Sequence, residues 1–214
     1  MHDLLPGDVI SGNIAFTGFY EFVLTKEIAS LARVGGLFVD VGANMGYFSL
    51  LWAGLNTSNR VIAFEAAPRN IALLQKNIAE NNLAKIELIP KAAGNRTGEI
   101  SFDTGPDEQT GWGGISAHAS SSSITVPLVR LDTELEDRVI DVLKIDVEGA
   151  DTWVLQGCEN LLKKKMIRRI YFEQNKLRMA ELGIERDEAQ KFLSEMGYTC
   201  VPFGRDDTEW VATP

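Results

Sequence analysis

Short, continuous apolar runs alternate along this chain with longer segments whose apolar residues recur every three or four positions. The continuous runs predict strands that are buried on both faces, at 37–41, 60–65, 85–89, 141–146 and 167–173. The periodic segments predict helices between them, at 20–33, 46–54, 68–82, 151–165 and 186–196. Strands that alternate with helices predict an α/β protein with a doubly wound, mainly parallel sheet.

Two parts of the chain depart from this alternation. Residues 98–104 and 123–129 have the pattern of strands, but no helix-like segment separates them. Near the end, 198–203 and 209–213 are strand-like and are joined by the polar stretch 204–207. This arrangement predicts a terminal hairpin, and therefore one antiparallel strand on an otherwise parallel sheet.

We expect a single domain over 1–214, because the sequence contains neither a repeat nor a linker. A helical segment at 1–36 leads into it, and its longest stretch without predicted structure is 103–123. A long loop rich in glycine and serine indicates a lid, a binding loop or a disordered stretch, and we predict a lid. Within it, Trp112 is a candidate for stacking on a substrate or closing over a cofactor. His118 is a candidate general base, although a lone loop histidine is more often a bystander.

The sequence DVGANMG at 40–46 joins a predicted buried strand to a helix through a turn with little side-chain bulk. In open α/β sheets, ligands bind at such turns beyond the carboxyl ends of the strands. Gly42 and Gly46 either let a ligand approach the backbone or merely shape the turn. Glu65 ends the next strand, about twenty residues further on, where an acid binds the hydroxyls of a ribose. Together the two signals predict a site for an adenosine ligand.

The electrostatics of the turn favour one adenosine cofactor over another. The fingerprint for a dinucleotide is G-x-G-x-x-G, whereas the glycines here are spaced as G-x-x-x-G, and no P-loop lysine follows. Asp40 adds a carboxylate, which is unfavourable beside phosphates but favourable beside an ammonium or a sulfonium. S-adenosylmethionine carries both cations and no phosphate. We therefore predict S-adenosylmethionine as the cofactor, with NAD and an oxidoreductase activity as the alternative.

Three stretches, FVDVGANMGYFSLL, VIAFEAAPRNIALLQKNI and DVLKIDVEGADTWVLQG, together resemble the FkbM-type S-adenosylmethionine-dependent methyltransferases over most of the chain. The resemblance implies a class I methyltransferase fold, with a seven-stranded sheet whose last strand is antiparallel. It implies O-methylation of natural products or sugars, with S-adenosylhomocysteine as the product. By position it implies contacts to the methionine part at Asp40, Gly42, Ala43, Asn44 and Gly46, with Phe48 or Ser49 and Asp146, to the ribose at Glu65, and to the adenine at Ala66 and Ala92.

Acidic residues cluster where the strand at 141–146 is predicted to end. Asp146, Glu148 and Asp151 follow one another there, and the alternation of side chains along a strand would put Asp146 and Glu148 on one face. Glu173 ends the next predicted strand and would face the same crevice. Neighbouring carboxylates raise each other's pKa, which suits a general base for an acceptor hydroxyl. We therefore predict Asp146, Glu148 and Glu173 as catalytic residues.

Other roles remain open for these carboxylates. Asp146, Glu148 and Glu173 could together bind a divalent metal through oxygen ligands. Because no histidine or clear third ligand lies in the motif, we expect no metal. In a purely structural interpretation, Asp146 caps a helix or holds a water, and Glu148 pairs with Lys144 or Arg169.

Composition and charge narrow the class of partner. The net charge of -9 makes broad binding to the phosphate backbone of a nucleic acid unfavourable. No apolar run reaches the roughly 18 residues of a membrane span, and two cysteines fit a reducing compartment better than a disulfide scaffold. We therefore expect a cytoplasmic enzyme with a small-molecule substrate. A cofactor-binding scaffold without activity is the non-enzymatic alternative, and the sequence does not determine the oligomeric state.

Overall fold

The computed structural model of the protein describes residues 1, 3–117, 123–204 and 208–214. Along these residues the helices are α1 (Val9–Thr17), α2 (Phe22–Val34), α3 (Tyr47–Leu55), α4 (Pro68–Glu80), α5 (Leu131–Leu135), α6 (Asp151–Gln156), α7 (Glu159–Lys163), α8 (Lys176–Glu181) and α9 (Glu188–Glu195). The strands are β1 (Leu37–Val41), β2 (Arg60–Phe64), β3 (Ile86–Ile89), β4 (Ala92–Ala93), β5 (Gly98–Asp103), β6 (Gly114–Ile115), β7 (Ser123–Val129), β8 (Val142–Ile145), β9 (Ile170–Glu173), β10 (Thr199–Pro202) and β11 (Glu209–Thr213).

Seven strands form one sheet in the order β10, β11, β9, β8, β1, β2, β3. The pairs along β9, β8, β1, β2 and β3 are parallel, whereas β11 runs antiparallel to both of its neighbours. The chain builds outward from β1 to β3 and then returns to β8 on the other side of β1. The strand order therefore reverses between β1 and β8, where open α/β sheets bind ligands. The predicted doubly wound, mainly parallel sheet with an antiparallel terminal strand is confirmed.

The part of the chain that breaks the alternation forms a second sheet of four strands, in the order β4, β7, β5, β6. β5 pairs antiparallel with β7 along its whole length, and β4 pairs in parallel with the end of β7. The short strand β6 pairs antiparallel with the end of β5. The composition of 103–123 predicted a loop without regular structure. The structure instead places β6 within this range.

Helices cover both faces of the seven-stranded sheet, as in a doubly wound fold. On one face, α2, α3 and α4 pack over a cluster in which the ring of Trp52 stacks on Phe38, with 5.2 Å between ring centroids. On the other face, α5, α6, α7 and α9 cover a cluster that contains Val39 and Val41. Successive residues of β1 thus point into different clusters, which explains why its sequence is almost wholly apolar.

Several helices differ from their predicted extents. The helix predicted at 151–165 is broken into α6 and α7 at Gly157. The chain there passes so close to Gly94 that a Cβ would lie 2.2 Å from its carbonyl oxygen. α2 begins at Phe22, because Glu21 has a left-handed φ of 43°. The helical segment predicted at 1–36 contains α1, although the sequence did not define it as a separate helix, and the sequence predicted no counterpart of α5 or α8. α1 has no distinct apolar face, and α5 and α8 are too short to show periodicity.

The structure bears on two expectations from the sequence, which concern disulfide bonds and membrane-spanning helices. Cys158 and Cys200 are both free thiols, and Cys158 is buried, so the structure contains no bridge between them. Within the described ranges, no helix combines the length and the apolar character that crossing a membrane requires.

Candidate active site

A cavity of about 240 Å³ opens beyond the carboxyl ends of β1, β2, β8 and β9, beside the point where the strand order reverses. Its wall is completed by the second sheet, by α1 and by the start of β11. The structure brings together on this wall predicted site residues that lie far apart in the sequence: Gly42, Asn44, Glu65, Ala66, Ala92, Asp146, Glu148 and Glu173.

The turn after β1 is built from backbone in the left-handed region. Gly42 has a φ of 81°, and a Cβ on it would lie 1.9 Å from the carbonyl oxygen of Asp146, so glycine is required there. The N–H groups of Gly42 and Ala43 both donate to the carbonyl oxygen of Phe64 at 3.0 Å. Asn44 follows with a φ of 52°, a conformation that asparagine tolerates better than most residues. The close crossing of two turns therefore accounts for Gly42, whatever ligand lies beside it.

Glu65 is only 6% exposed, and the backbone holds its carboxylate in place. Oε1 accepts from the N–H groups of Ala66 at 2.9 Å and Ala67 at 2.8 Å, while Oε2 accepts from the N–H of Asn44 at 2.7 Å. Burial raises the pKa of Glu65, and these three hydrogen bonds oppose the rise. Since a carboxylate has about four acceptor positions, Oε2 retains one for a further donor. We call Gly42, Asn44, Glu65 and Ala66 the β1–β2 end of the cavity.

Asp40, Ala43 and Phe48 lie beneath this wall and line a small adjoining space of about 30 Å³. Asp40 is 1% exposed, and its Oδ2 accepts from the hydroxyl of Ser49 at 2.7 Å. Its Oδ1 has no hydrogen-bond partner in the part of the chain that the structure describes. Burial raises the pKa of Asp40. The ring of Phe48 lies under the ammonium of Lys144, 5.1 Å from the ring centroid.

Gly46 lines neither the cavity nor the space beneath it. It is the residue before α3 and has a φ of 92°. A Cβ on Gly46 would lie 2.3 Å from Cδ1 of Leu74, so packing against α4 explains this glycine. The structure therefore does not bring Gly46 to the predicted cofactor site.

An apolar wall borders the β1–β2 end. Ala66 and Ala92 belong to a buried cluster with Phe102 and Ile115, which come from the second sheet. All four residues line the cavity. The two alanines leave room beside them, so this wall can accept a flat apolar group.

Five carboxylates of the described residues line the other part of the cavity, which we call the acidic end: Glu21, Asp146, Glu148, Glu173 and Glu209. They come from the start of α2, the turn after β8, the end of β9 and the start of β11. Side-chain alternation along a strand is not what brings Asp146 and Glu148 together, because β8 ends at Ile145. Instead, a left-handed φ of 54° at Glu148 turns the chain back toward the cavity.

Glu148 and Asp146 have different partners. Oδ2 of Asp146 accepts from Nζ of Lys144 at 2.9 Å. Oε2 of Glu148 accepts from the side-chain amide of Asn175 at 2.9 Å and lies 3.9 Å from Nε of Arg178. Glu148 thus pairs with neither of the basic residues expected from the sequence. Arg178 also donates to the carbonyl oxygen of Trp112, whose half-exposed indole lies outside the cavity wall.

Crowding favours the protonated forms of the carboxylates at the acidic end. Burial raises the pKa of Glu173 to about 8, and the charges of neighbouring carboxylates, Asp146 first among them, add to the rise. Burial raises the pKa of Glu21 to about 7, although the ammonium of Lys144 opposes this. The pKa of Glu148 is raised by burial and then by the charge of Asp146. Glu21 and Glu173 can therefore exchange protons near neutral pH.

The remaining predicted acid and the predicted histidine have different outcomes. Asp151 lies behind the wall and is 3% exposed, and its Oδ1 accepts from the N–H of Glu173 at 3.1 Å. Burial raises the pKa of Asp151 to about 7. His118 lies outside the described residues, so its role as a base stays a prediction. Over the ranges that are described, no group of three or more His, Cys, Asp or Glu residues is arranged to hold a metal ion.

The cavity also contains residues that the sequence analysis did not select, among them Ile10, Asn70, Thr110 and Glu209. Asn70 is 4% exposed and donates from Nδ2 to the carbonyl oxygen of Thr110 at 2.9 Å. Its Oδ1 has no partner among the described residues. Asn70 and Asn77 interrupt the buried stripe of α4 at a spacing of seven, and a buried amide in such a stripe is the signal that could have identified it.

α1 and the segment 104–113 complete the wall beside the β1–β2 end, and Asp8 joins them. Its Oδ2 accepts from the N–H of Ser11 at 2.8 Å and so caps α1. Its Oδ1 accepts from the N–H and the hydroxyl of Thr110 at 2.8 and 3.0 Å. Arg69 on α4 donates to carbonyl oxygens of the same segment. These contacts hold the cavity wall together across three separate parts of the chain.

The seven-stranded sheet, the antiparallel β11, and a cavity with an acid after β2 define a class I methyltransferase. The sequence profile of the Methyltransferase FkbM domain matches residues 40–200. The chain therefore belongs to the FkbM methyltransferase family, whose methyl donor is S-adenosylmethionine. The resemblance seen in the sequence and the cofactor predicted from it are confirmed, and the NAD alternative is not supported.

Curated relatives are methyltransferases of archaeal and fungal origin. The hexuronic acid methyltransferase AglP of Haloferax volcanii is 28% identical over 158 residues, which cover 73% of this chain and 60% of AglP. Methyltransferase 1 of Beauveria bassiana is 23% identical, over 57% of this chain and 58% of the relative. The chain thus spans about three fifths of the length of these two proteins. Methyltransferase sdnD of Sordaria araneosa is 24% identical, over 89% of this chain and 84% of sdnD.

Solved structures with the same fold include three methyltransferases. A putative caffeoyl-CoA O-methyltransferase from Staphylococcus aureus superposes with a TM-score of 0.60 at 12% identity, over 96% of this chain and 92% of its own. PaMTH1 of Podospora anserina, bound to S-adenosylhomocysteine, superposes with a TM-score of 0.56 at 11% identity, over 91% and 79%. SMU.1697c of Streptococcus mutans, also in complex with that product, gives 0.56 at 9%, over 91% and 99%. At these identities the similarity concerns the fold.

Proposed function

We propose that this chain is a single methyltransferase domain that transfers a methyl group from S-adenosylmethionine to an oxygen atom of a small molecule, such as a natural product or a sugar. The observation that carries the proposal is the continuous cavity, which joins the β1–β2 end to the acidic end. A cofactor at the first and an acceptor at the second would meet in one continuous space. Such positioning alone supplies much of the rate of a group transfer.

Acceptor atoms at the β1–β2 end fit the cofactor. The Oδ1 atoms of Asn44 and Asn70 are buried without a hydrogen-bond partner in the described part of the chain, and Oε2 of Glu65 retains an acceptor position. S-adenosylmethionine offers ammonium, amine and hydroxyl donors, which such atoms require. We propose that Glu65 accepts from a ribose hydroxyl and that the adenine lies against Ala66 and Ala92. The roles predicted for Asp40, Gly42 and Ala43 are part of the same proposal.

The acidic end supplies the groups that an acceptor hydroxyl needs. When bound, the cofactor provides an activated methyl group on its sulfonium. Glu173, with a pKa raised to about 8, can take the proton of the acceptor near neutral pH. Asp146 and Glu148 line the same space and can orient the acceptor through hydrogen bonds. We propose these three as the catalytic carboxylates, and His118 is retained as a second candidate base.

A sugar hydroxyl is the acceptor that we favour. The relative AglP is a hexuronic acid methyltransferase, although this chain spans 60% of its length. Sugar hydroxyls both donate and accept, so they suit a wall of carboxylates that are partly protonated near neutral pH. The proposal therefore rests on the chemistry of the wall as well as on the relative.

The first test is calorimetric titration of the purified protein with S-adenosylhomocysteine, with NAD as the parallel control. We expect micromolar binding of the first ligand and none of the second. Binding of NAD alone would show that the interpretation of the β1 turn is wrong. Binding of neither ligand, with or without candidate acceptors, would contradict the assignment of the cavity.

The second test measures transfer of a labelled methyl group to a panel of neutral, acidic and amino sugars. Glu173→Gln is expected to lower kcat about 100-fold or more, as the loss of a general base does. Glu87→Gln, an exposed residue of β3 far from the cavity, is the matched control and should leave kcat unchanged. If Asp146→Asn, Glu148→Gln and Glu173→Gln all retained the wild-type rate, the catalytic assignment would be wrong. Cofactor binding without transfer to any acceptor would favour the scaffold alternative.

A further inference from the structure

Lys144 is a buried lysine in the middle of the seven-stranded sheet. It lies in β8 and is 4% exposed. In the sheet register it stands beside Asp40 of β1 and Tyr171 of β9, so the three side chains share one face. The sequence suggested Glu148 as a partner of Lys144, but the partner in the structure is Asp146.

The contacts of Lys144 show what its charge compensates. Its Nζ donates to Oδ2 of Asp146 at 2.9 Å and lies over the ring of Phe48. Asp40, its neighbour across the sheet, has one oxygen bonded to Ser49 and another without a partner among the described residues. A buried carboxylate with an unsatisfied oxygen is costly unless a positive charge lies nearby. Lys144 provides that charge between β1 and the acidic end.

Ionisable groups face Lys144 from several elements besides its own strand. These groups come from β1, β9 and β11, from the start of α2, from α3 and from the turn after β8. They are Tyr20, Glu21, Asp40, Tyr47, Asp146, Tyr171, Glu173 and Glu209. All are acidic or phenolic. Two further cations of the described residues lie near the cavity. Lys91 donates to Glu134, whereas Arg178 donates to the carbonyl oxygen of Trp112 and lies 3.9 Å from Glu148, so neither is bonded to Asp146.

We propose that Lys144 is a positioning residue whose ion pair with Asp146 holds that carboxylate toward the methionine end of the bound cofactor, so that cofactor affinity depends on a lysine behind the site. This inference rests on the proposed function, because it assumes that the cofactor lies along the β1 turn. Asp146 lines both the cavity and the small space beneath it, whereas Lys144 lines only the latter of the two. Lys144 therefore acts through Asp146.

The charge balance around Lys144 agrees with this role. Burial by itself lowers the pKa of Lys144, but the carboxylates of Asp146, Asp40 and Glu21 raise it above its ordinary value, so the ammonium stays charged. Burial raises the pKa of Asp40 and of Glu21, and the charge of Lys144 is the largest influence in the opposite direction for each. Removing the ammonium would therefore shift these carboxyl groups toward their protonated forms.

The experiment compares Lys144→Met with Lys144→Arg, with Lys85→Met as the matched control. Lys85 is a half-buried lysine that donates to the carbonyl oxygen of Asn56, away from the cavity. Binding of S-adenosylhomocysteine is measured by calorimetry between about pH 6 and pH 9, and each variant is also unfolded with urea to establish that it is folded. No acceptor is needed, so the test does not depend on knowing the substrate.

We expect Lys144→Met to weaken binding about tenfold or more at pH 7. The rise of affinity with pH should also move to higher pH, because Asp40 and Glu21 lose their protons at higher pH without the ammonium. Lys144→Arg should restore most of the affinity, and Lys85→Met should bind as the wild type does. Wild-type affinity and pH dependence in Lys144→Met would overturn the inference. Failure of the wild type itself to bind would instead overturn the proposed function.

A double-mutant cycle covers the case in which Lys144→Met does not fold. Lys144→Gln and Asp146→Asn are then compared singly and together, since each amide keeps a polar side chain but cannot carry the charge. If Lys144 acts through Asp146, replacing the lysine changes affinity in the wild type but not in the Asp146→Asn background. Additive losses in the double variant would show that the two residues act separately and would contradict the inference.

Discussion

At the β1–β2 end of the cavity, the carboxylate of Glu65 accepts from three backbone N–H groups at 2.7 to 2.9 Å. At the acidic end, the carboxylate of Glu173 lies among other carboxylates, and burial together with their charges raises its pKa to about 8. The backbone donors favour the ionised form of Glu65 and oppose the rise in its pKa that burial causes. Crowded carboxylates are suited to gaining and losing a proton. One cavity thus contains a fixed acceptor and a set of proton-exchanging groups.

The two ends also differ in how the chain builds them. The β1–β2 end comes from two turns that follow neighbouring strands and cross closely at Gly42. The acidic end needs β8, β9 and β11 in adjacent positions, with Glu209 opposite Glu173 in the register. Backbone geometry dominates the first end, and side-chain charge dominates the second. The following variants test that distinction, beginning with the largest expected effect.

Gly42→Ala should disrupt the backbone of the β1–β2 end and have the largest effect of the four variants. A Cβ at this position would lie 1.9 Å from the carbonyl oxygen of Asp146 in a left-handed conformation. We expect the free energy of unfolding to fall by about 3 kcal/mol or more, with loss of S-adenosylhomocysteine binding. Gly54→Ala, in α3 with open space around it, should instead add up to about 1 kcal/mol. Urea unfolding of both variants decides the matter, and equal stability of the two would contradict the steric argument.

Glu65→Gln should weaken the same end by a smaller amount. The amide nitrogen of glutamine cannot accept from the N–H groups of Asn44, Ala66 or Ala67, so at least one of these donors loses its partner. We expect a loss of about 2 kcal/mol in the free energy of unfolding and weaker binding of S-adenosylhomocysteine. Calorimetry and urea unfolding measure the two effects. Glu87→Gln is the control, and a Glu65→Gln variant as stable as this control would mean that the backbone does not depend on the carboxylate.

Glu173→Gln should change how stability depends on pH. The pKa of Glu173 is higher in the folded protein than in the unfolded chain, so the stability that it contributes is present at low pH. That contribution is lost as the pH rises from about 5 to 8, and the variant lacks this loss. Relative to the wild type, we expect Glu173→Gln to gain on the order of 1 kcal/mol at pH 8, after allowance for partial exposure. Urea unfolding across this range provides the measurement, and parallel profiles would refute the prediction.

Glu148→Gln should have the smallest effect on stability, but it tests whether neighbouring charge contributes to the raised pKa of Glu173. The oxygen of glutamine can still accept from Asn175, so we expect the free energy of unfolding to stay within about 0.5 kcal/mol of the wild type. The charge of Glu148 is one of the causes that raise the pKa of Glu173, so its removal should end the pH-dependent loss of stability at a lower pH. Glu181→Gln, on the exposed surface of α8, is the control. An unchanged profile in Glu148→Gln would mean that the charge of Glu148 does not contribute to the raised pKa of Glu173.

Most of the seven-stranded sheet could be predicted from the sequence, because its strands are apolar on both faces and its helices are periodic. The prediction was weakest where that signal is short or absent. β6 is only Gly114–Ile115, and α1 has no apolar face. The helix predicted at 151–165 is interrupted at Gly157, where the chain passes close to Gly94. Each of these features depends on a partner that is distant along the chain.

The candidate site divides in the same way. Turn chemistry pointed to Gly42, Asn44 and Glu65, and the structure brings all three to one wall. It places Gly46 against Leu74 instead, which no local pattern could reveal. Asn70 was missed although it interrupts the apolar stripe of α4, because its bond to the carbonyl oxygen of Thr110, forty residues away, is visible only in the fold.

The sequence by itself determined the fold class, the family and the turn that carries the cofactor signal, because apolar periodicity and turn chemistry act between residues that are near one another in the chain. Only the tertiary structure decided which carboxylates meet and which cation balances them. The strand order sets the distances among Glu21, Asp146, Glu173 and Lys144, and pKa values depend on those distances and on burial. The division of the cavity into a fixed end and a proton-exchanging end is therefore a property of the folded sheet.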